Sequence, residues 1–152
     1  MEGGSSDSVG TRALTAAYAA LIGVVYVAAG LLEMMNGLGI GQLATIPSDV
    51  FGGLMLIFIG AIFLRSVGEL RQGRAGGMSY LLVGTLMTVI YSALYILILS
   101  ANGVEYLLGS EEFLEWTWLD DFRLEIWLPV IAVPAIALLH SRIRSIRADN
   151  LG

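Results

Sequence analysis

Between Arg12 and Glu33 the chain runs from Ala13 to Leu32 without one charged residue. At about 1.5 Å per residue, a helix of that length matches a hydrocarbon layer about 30 Å thick. Three more uncharged runs follow, Val50 to Leu64, Ala75 to Val104 and Ile126 to Ser141. A soluble chain of 152 residues has no core large enough to hide four such segments on all sides. In lipid they need only satisfied backbone groups, which helices supply internally. Composition agrees: 57% of residues are hydrophobic and 14% charged, against roughly 25% charged in ordinary soluble domains.

The sequence therefore predicts an all-α, polytopic integral membrane protein, a four-transmembrane-helix bundle forming a single membrane domain over 1–152. The predicted spans are about 13–33, 48–67, 77–100 and 125–143. The first run exceeds the roughly 7 to 15 apolar residues of a signal-peptide core, and Glu2 and Asp7 precede Arg12, so a retained helix is expected. Pro47-Ser48-Asp49 is a helix opening, since a short polar side chain caps free amides and proline has no amide to satisfy. Gly76-Gly77 reads as part of the turn before the third span, and Asn102-Gly103 as its end. Pro129 fits near the start of the fourth span. Pro134 should kink it and free a carbonyl that a neighbouring helix must cover.

With four crossings, Arg12, the group Arg65, Arg71 and Arg74, and the group Arg142, Arg144 and Arg147 all fall on one side, leaving only Arg123 opposite. The positive-inside rule then places both termini in the cytoplasm of a multi-pass cell-membrane protein. The other side is acidic, with Glu105, Glu111, Glu112, Glu115, Asp120, Asp121 and Glu125. Such a segment either solvates the loop or attracts cations or a basic partner.

Within that acidic stretch, about 110–122, Phe113, Leu114, Trp118 and Phe122 share one helical side. The expectation is an amphipathic helix lying along the outer headgroups. Trp116, Trp118 and Trp127, with Phe113 and Phe122, form an aromatic belt or a docking surface for lipid or another subunit.

Glu33 ends the first apolar run. One reading puts it at the outer headgroups, where it needs no function; the other makes it a proton or cation site assisted by Asn36, three residues on along the same face. Against the second stands the absence of another ionisable group inside any span.

Other chemistry lacks support. The chain has no cysteine and one histidine, His140, which excludes thiolate chemistry and paired-histidine ligation within the chain. Gly37-Leu38-Gly39-Ile40-Gly41 follows no strand, so it fails as a nucleotide loop. No catalytic, cofactor-binding or metal-binding residues are assigned, no cofactor is expected, and neither enzymatic activity nor nucleic-acid binding is indicated.

Small residues recur every four positions as Thr15, Ala19 and Gly23 in the first span and Gly84, Thr88 and Ser92 in the third; Gly53 and Gly60 add a seam to the second. Such rows let apolar helices approach closely, within one chain or between chains. Tyr18, Tyr26, Tyr80, Tyr91 and Tyr95 carry hydroxyls into the spans, each expected to find an interhelical carbonyl.

The segments AGLLEMMNG and GGLMLIFIGAIFLR resemble the small four-helix DoxX-type membrane proteins in a Gly/Leu texture that many membrane proteins share. That likeness implies the four-helix layout and no activity. Taken together, the sequence points to a non-catalytic subunit or scaffold of a larger membrane complex, in the bilayer with a membrane protein partner or as a homo-oligomer. The alternative is a small ion- or proton-coupled transporter using Glu33.

Overall fold

The computed structural model describes residues 4–40, 49–111, 117 and 126–132, with 4–9 given by their helical backbone alone. Among the described residues three long helices dominate: α1 (Gly4–Gly37), α2 (Val50–Arg71) and α3 (Ala75–Leu107). Each is long and apolar enough to cross a membrane, α1 through its portion Gly10–Gly37. The all-helical, multi-pass architecture thus holds.

α2 lies between its neighbours and packs against both. Its buried face, Gly52, Gly53, Leu56, Ile59, Gly60, Phe63, Ser66 and Leu70, mixes two kinds of contact. Toward α1 the contacts are glycine on glycine. A Cβ placed on Gly53 would stand 2.5 Å from the Gly30 carbonyl oxygen, and one on Gly60 would stand 2.8 Å from that of Gly23. Both partners are seven residues apart on their helices, two helical turns, so the same faces meet twice along an antiparallel crossing. Toward α3, a side chain fills a glycine hollow at Gly84, where the Phe63 ring lies 3.1 Å from where a Cβ would be; at Gly77 the Leu70 backbone N comes nearest, at 2.6 Å, with its side chain at 2.8 Å.

Ile22, Tyr26, Leu56, Ile59, Phe63 and Leu81 form the centre of the core. The segment 126–132 is helical, and Leu128 joins this core while Ala132, one turn on, is also buried. The Tyr18 hydroxyl donates to the Ile131 carbonyl. The outward faces carry large apolar side chains such as Leu21, Val24, Phe58, Leu86, Ile90 and Leu97, which suits lipid.

Several predicted boundaries need correction. α3 begins at Ala75, so Gly76 and Gly77 are helical and Gly77 is a packing position against Leu70. Asn102-Gly103 does not stop the helix; it continues to Leu107 and ends at Gly109, whose φ is 72°. At 33 residues it is about 50 Å long, more than a bilayer core requires. α2 likewise passes the predicted end at 67 and closes at Arg71. The stop signal is a glycine in the left-handed region that can satisfy two terminal carbonyls at once. After α2, Gly73 N–H donates to Leu70 and Arg74 N–H to Glu69; after α3, Gly109 N–H donates to Tyr106 and Ser110 N–H to Glu105. α1 ends the same way after Gly37, with Gly39 N–H bonded to Asn36 and Ile40 N–H to Met35. Gly37 is therefore the last residue of α1.

Most of the predicted fourth span at 125–143 lies outside the described residues, as does the amphipathic helix at 110–122 except for Ser110, Glu111 and Thr117. Phe113, Trp116, Trp118 and Phe122 fall outside them too; Trp127 is described and exposed.

Candidate functional site

The two ends of the bundle differ in charge. At one end the Arg12 guanidinium lies over the turn between α2 and α3, its Nη1 2.9 Å from where a Cβ on Gly73 would stand. Arg65, Arg71 and Arg74 belong to the same end, with Arg74 3.6 Å from Glu69 in an exposed ion pair. That Arg12, near the start of α1, reaches the turn after α2 is the arrangement expected of antiparallel crossings.

At the other end, α1 finishes and α2 begins. Asp49 is the N-cap of α2; its Oδ1 accepts the Gly52 N–H at 2.9 Å, relieving one of the free amides of the first turn. Its second oxygen accepts the Tyr95 hydroxyl of α3 at 3.0 Å. The Tyr91 hydroxyl stands 3.3 Å from that of Tyr95, and their rings meet edge to face with centroids 5.1 Å apart. Gly52 makes room for this: a Cβ there would stand 3.0 Å from the Tyr95 hydroxyl oxygen.

On the α1 side of the same turn lies Glu33, fully buried at 0% exposure. Gly53 admits it, since a Cβ on Gly53 would meet the Glu33 Cβ at 3.2 Å. The adjacent glycines of α2 thus accommodate one carboxylate each, Gly52 against Asp49 and Gly53 against Glu33. Both acids sit at the positive end of the α2 dipole, which favours negative charge. An interior carboxylate is tolerated only with a proton, a cation or a polar partner beside it. Such an arrangement can bind a cation or exchange a proton.

Of the two sequence readings of Glu33, solvation at the headgroups does not describe its position inside the bundle. Asn36 is half-buried one turn further along α1. Asp49 precedes α2, outside every uncharged run, and the fold brings it to the same first turn of α2 that Glu33 packs against. The Asp49 to Tyr95 link has no sequence signal, because it joins positions 46 residues apart. Gly30 was also missed, although its seven-residue spacing from Gly23, mirrored by Gly53 and Gly60, was readable.

The six packing residues Thr15, Ala19, Gly23, Gly84, Thr88 and Ser92 are all buried within the chain. The tyrosines behave less uniformly than expected. Tyr18 finds a carbonyl, Tyr95 a carboxylate and Tyr91 its neighbouring hydroxyl. Tyr26, tilted against Phe63 with ring centroids 5.8 Å apart, is buried with a hydroxyl that completes no hydrogen bond. Among the described residues no group of three potential metal ligands gathers.

Comparison with known families decides the broader class. The MJ0565 integral membrane domain family matches residues 10–143. This chain belongs to that family. Uncharacterized protein MJ0565 from Methanocaldococcus jannaschii is 25% identical over 118 residues, covering 74% of this chain and 80% of that protein. No solved structure matches. Membership of the MJ0565 integral membrane domain family and the three apolar helices together make this a multi-pass protein of the lipid bilayer.

Proposed function

We propose that this protein is a small membrane carrier that binds and releases a proton or small cation at Glu33, with Asp49 and Tyr95 completing the site. The observation that carries the reading is the full burial of the Glu33 carboxylate against the α2 turn that Asp49 caps. Ionisable groups within membrane-spanning helices characteristically mark ion and proton pathways. In this reading the protein is not an enzyme. It sits in the cell membrane with the arginine end and both termini in the cytoplasm and the carboxylate end facing out.

A second reading keeps the chain as a non-catalytic subunit or scaffold, with a partner protein or a second copy on its lipid-facing surface. Trp127, exposed beside the buried Leu128, favours it. The small-residue rows that first suggested a partner support it less, because they are consumed in contacts within the chain.

Purified protein in phosphatidylcholine/phosphatidylglycerol vesicles, loaded with a pH-sensitive dye and subjected to an ion gradient, separates the two. The carrier reading expects proton or cation flux that Glu33→Gln reduces to the level of empty vesicles, while the variant remains folded. Flux equal to wild type in Glu33→Gln would refute the site. A subunit would show no flux and would retain its partner on extraction in mild detergent.

A further inference from the structure

The buried hydroxyls of the bundle interior fall into two groups. Thr15, Ser66 and Thr85 turn back onto their own helices, donating to the carbonyls of Thr11 at 2.8 Å, Phe63 at 2.6 Å and Leu81 at 2.8 Å. That bond is available to almost any serine or threonine in a helix. Thr88, one turn beyond Thr85 and 2% exposed, does not make it. Its hydroxyl instead approaches that of Tyr26, which reaches across from α1 and is 1% exposed. Neither oxygen completes a hydrogen bond.

Interior hydroxyls left in this way are costly, and interior polar groups of this kind are where buried water is held. The position matters as much as the deficit. Thr88 belongs to a polar stripe of α3 in which Thr85, Thr88, Ser92 and Tyr95 are all buried. Spacings of three, four and three residues keep them on one helix face. The stripe ends at Tyr95, which donates to Asp49. It therefore runs from the bundle interior to the carboxylate end where Glu33 lies.

We infer that Tyr26 and Thr88 hold a bridging water, and that this water and the α3 hydroxyl stripe form a proton path to the carboxylates Asp49 and Glu33. The path rests on the carrier reading above and specifies a proton as what passes through it. Hydroxyls three or four residues apart on a helix stand about 5–6 Å from one another, so a water joins each to the next: every hydroxyl accepts a proton from the water before it and releases its own to the water after it. One proton leaves the water side and one arrives at a carboxylate, with no bond to carbon made or broken and no redox partner required. A tyrosine facing a threonine can do this only while both hydroxyls are present, which makes the path separable from the packing.

Two measurements on the full chain in phosphatidylcholine/phosphatidylglycerol vesicles test it. In water-edited solid-state NMR, Thr88 and the Tyr26 ring should receive magnetisation from water far faster than Phe63, which packs against Tyr26 but offers no polar atom. In proton flux, Tyr26→Phe and Thr88→Val, which remove one oxygen with almost no change in volume, should each slow transport while midpoints of thermal unfolding stay level or rise. Magnetisation reaching Thr88 no faster than Phe63 overturns the water site. Wild-type flux in both variants, with Glu33→Gln still inactive, overturns the path and leaves the carrier reading standing. Absence of flux in the wild-type protein removes carrier and path together, and the NMR result then decides the hydration site alone.

Discussion

The two faces of α2 use glycine for opposite purposes. Toward α1, glycine meets glycine and the backbones themselves touch, at Gly30 with Gly53 and at Gly23 with Gly60. Toward α3, Gly84 is a hollow that the Phe63 ring fills, while Gly77 at the turn again meets backbone, the Leu70 N at 2.6 Å. A contact with backbone cannot relax, because it is fixed by its own helix. The contact at Gly84 can, because a ring can shift. Buried polar groups differ as well: α3 carries the hydroxyl stripe and Tyr95, while α1 carries the hydroxyls of Thr15 and Tyr26 and, beside the glycine seam at Gly53, the carboxylate Glu33. Close backbone packing therefore holds Glu33 in place, and looser side-chain packing leaves room for a chain of hydroxyls.

The largest expected effect tests the rigid side. Gly53→Ala places a methyl 2.5 Å from the Gly30 carbonyl and 3.2 Å from the Glu33 Cβ, and should cost about 3 kcal/mol or more in reversible unfolding from mixed micelles. A loss below about 1 kcal/mol would mean the helices separate easily and the distinction between the faces is false. Next in size, Asp49→Ala removes the α2 cap and leaves the Tyr95 hydroxyl without its acceptor; about 2 kcal/mol is expected from the two losses combined. Adding Tyr95→Phe should recover part of it, and a double-mutant cycle with no coupling would remove the link between α2 and α3. The three atoms nearest a methyl added by Gly84→Ala all belong to the Phe63 ring, from 3.1 Å, so a loss of about 1 kcal/mol is expected. A cost equal to that of Gly53→Ala would erase the contrast between hollow and seam. Smallest, Gly68→Ala on α2 meets nothing within 4 Å and should gain a few tenths to about 1 kcal/mol, from helix propensity alone.

Much of this was legible before any coordinates. The uncharged runs gave the membrane and the first three spans, because a polar backbone in lipid has few alternatives to a helix. Asp49 was recognisable as a cap, and the small-residue rows pointed to faces that do turn out to be buried. A glycine does not end a helix by its type alone. Gly76, Gly77 and Gly103 are helical, whereas Gly39, Gly73 and Gly109 terminate helices, each with positive φ. What separates the two sets is whether the following amides can reach back to carbonyls of the last turn, and composition does not encode that.

The sequence by itself determined the solvent and the apolar helices, since each follows from the transfer free energy of residues adjacent along the chain. Only the tertiary structure decided that Glu33 is interior, that Asp49 shares its helical turn, and that Thr88 faces Tyr26. Those outcomes depend on the rotation and register of helices about their long axes. Contacts between distant glycines set that register, and helices apolar all round leave it open.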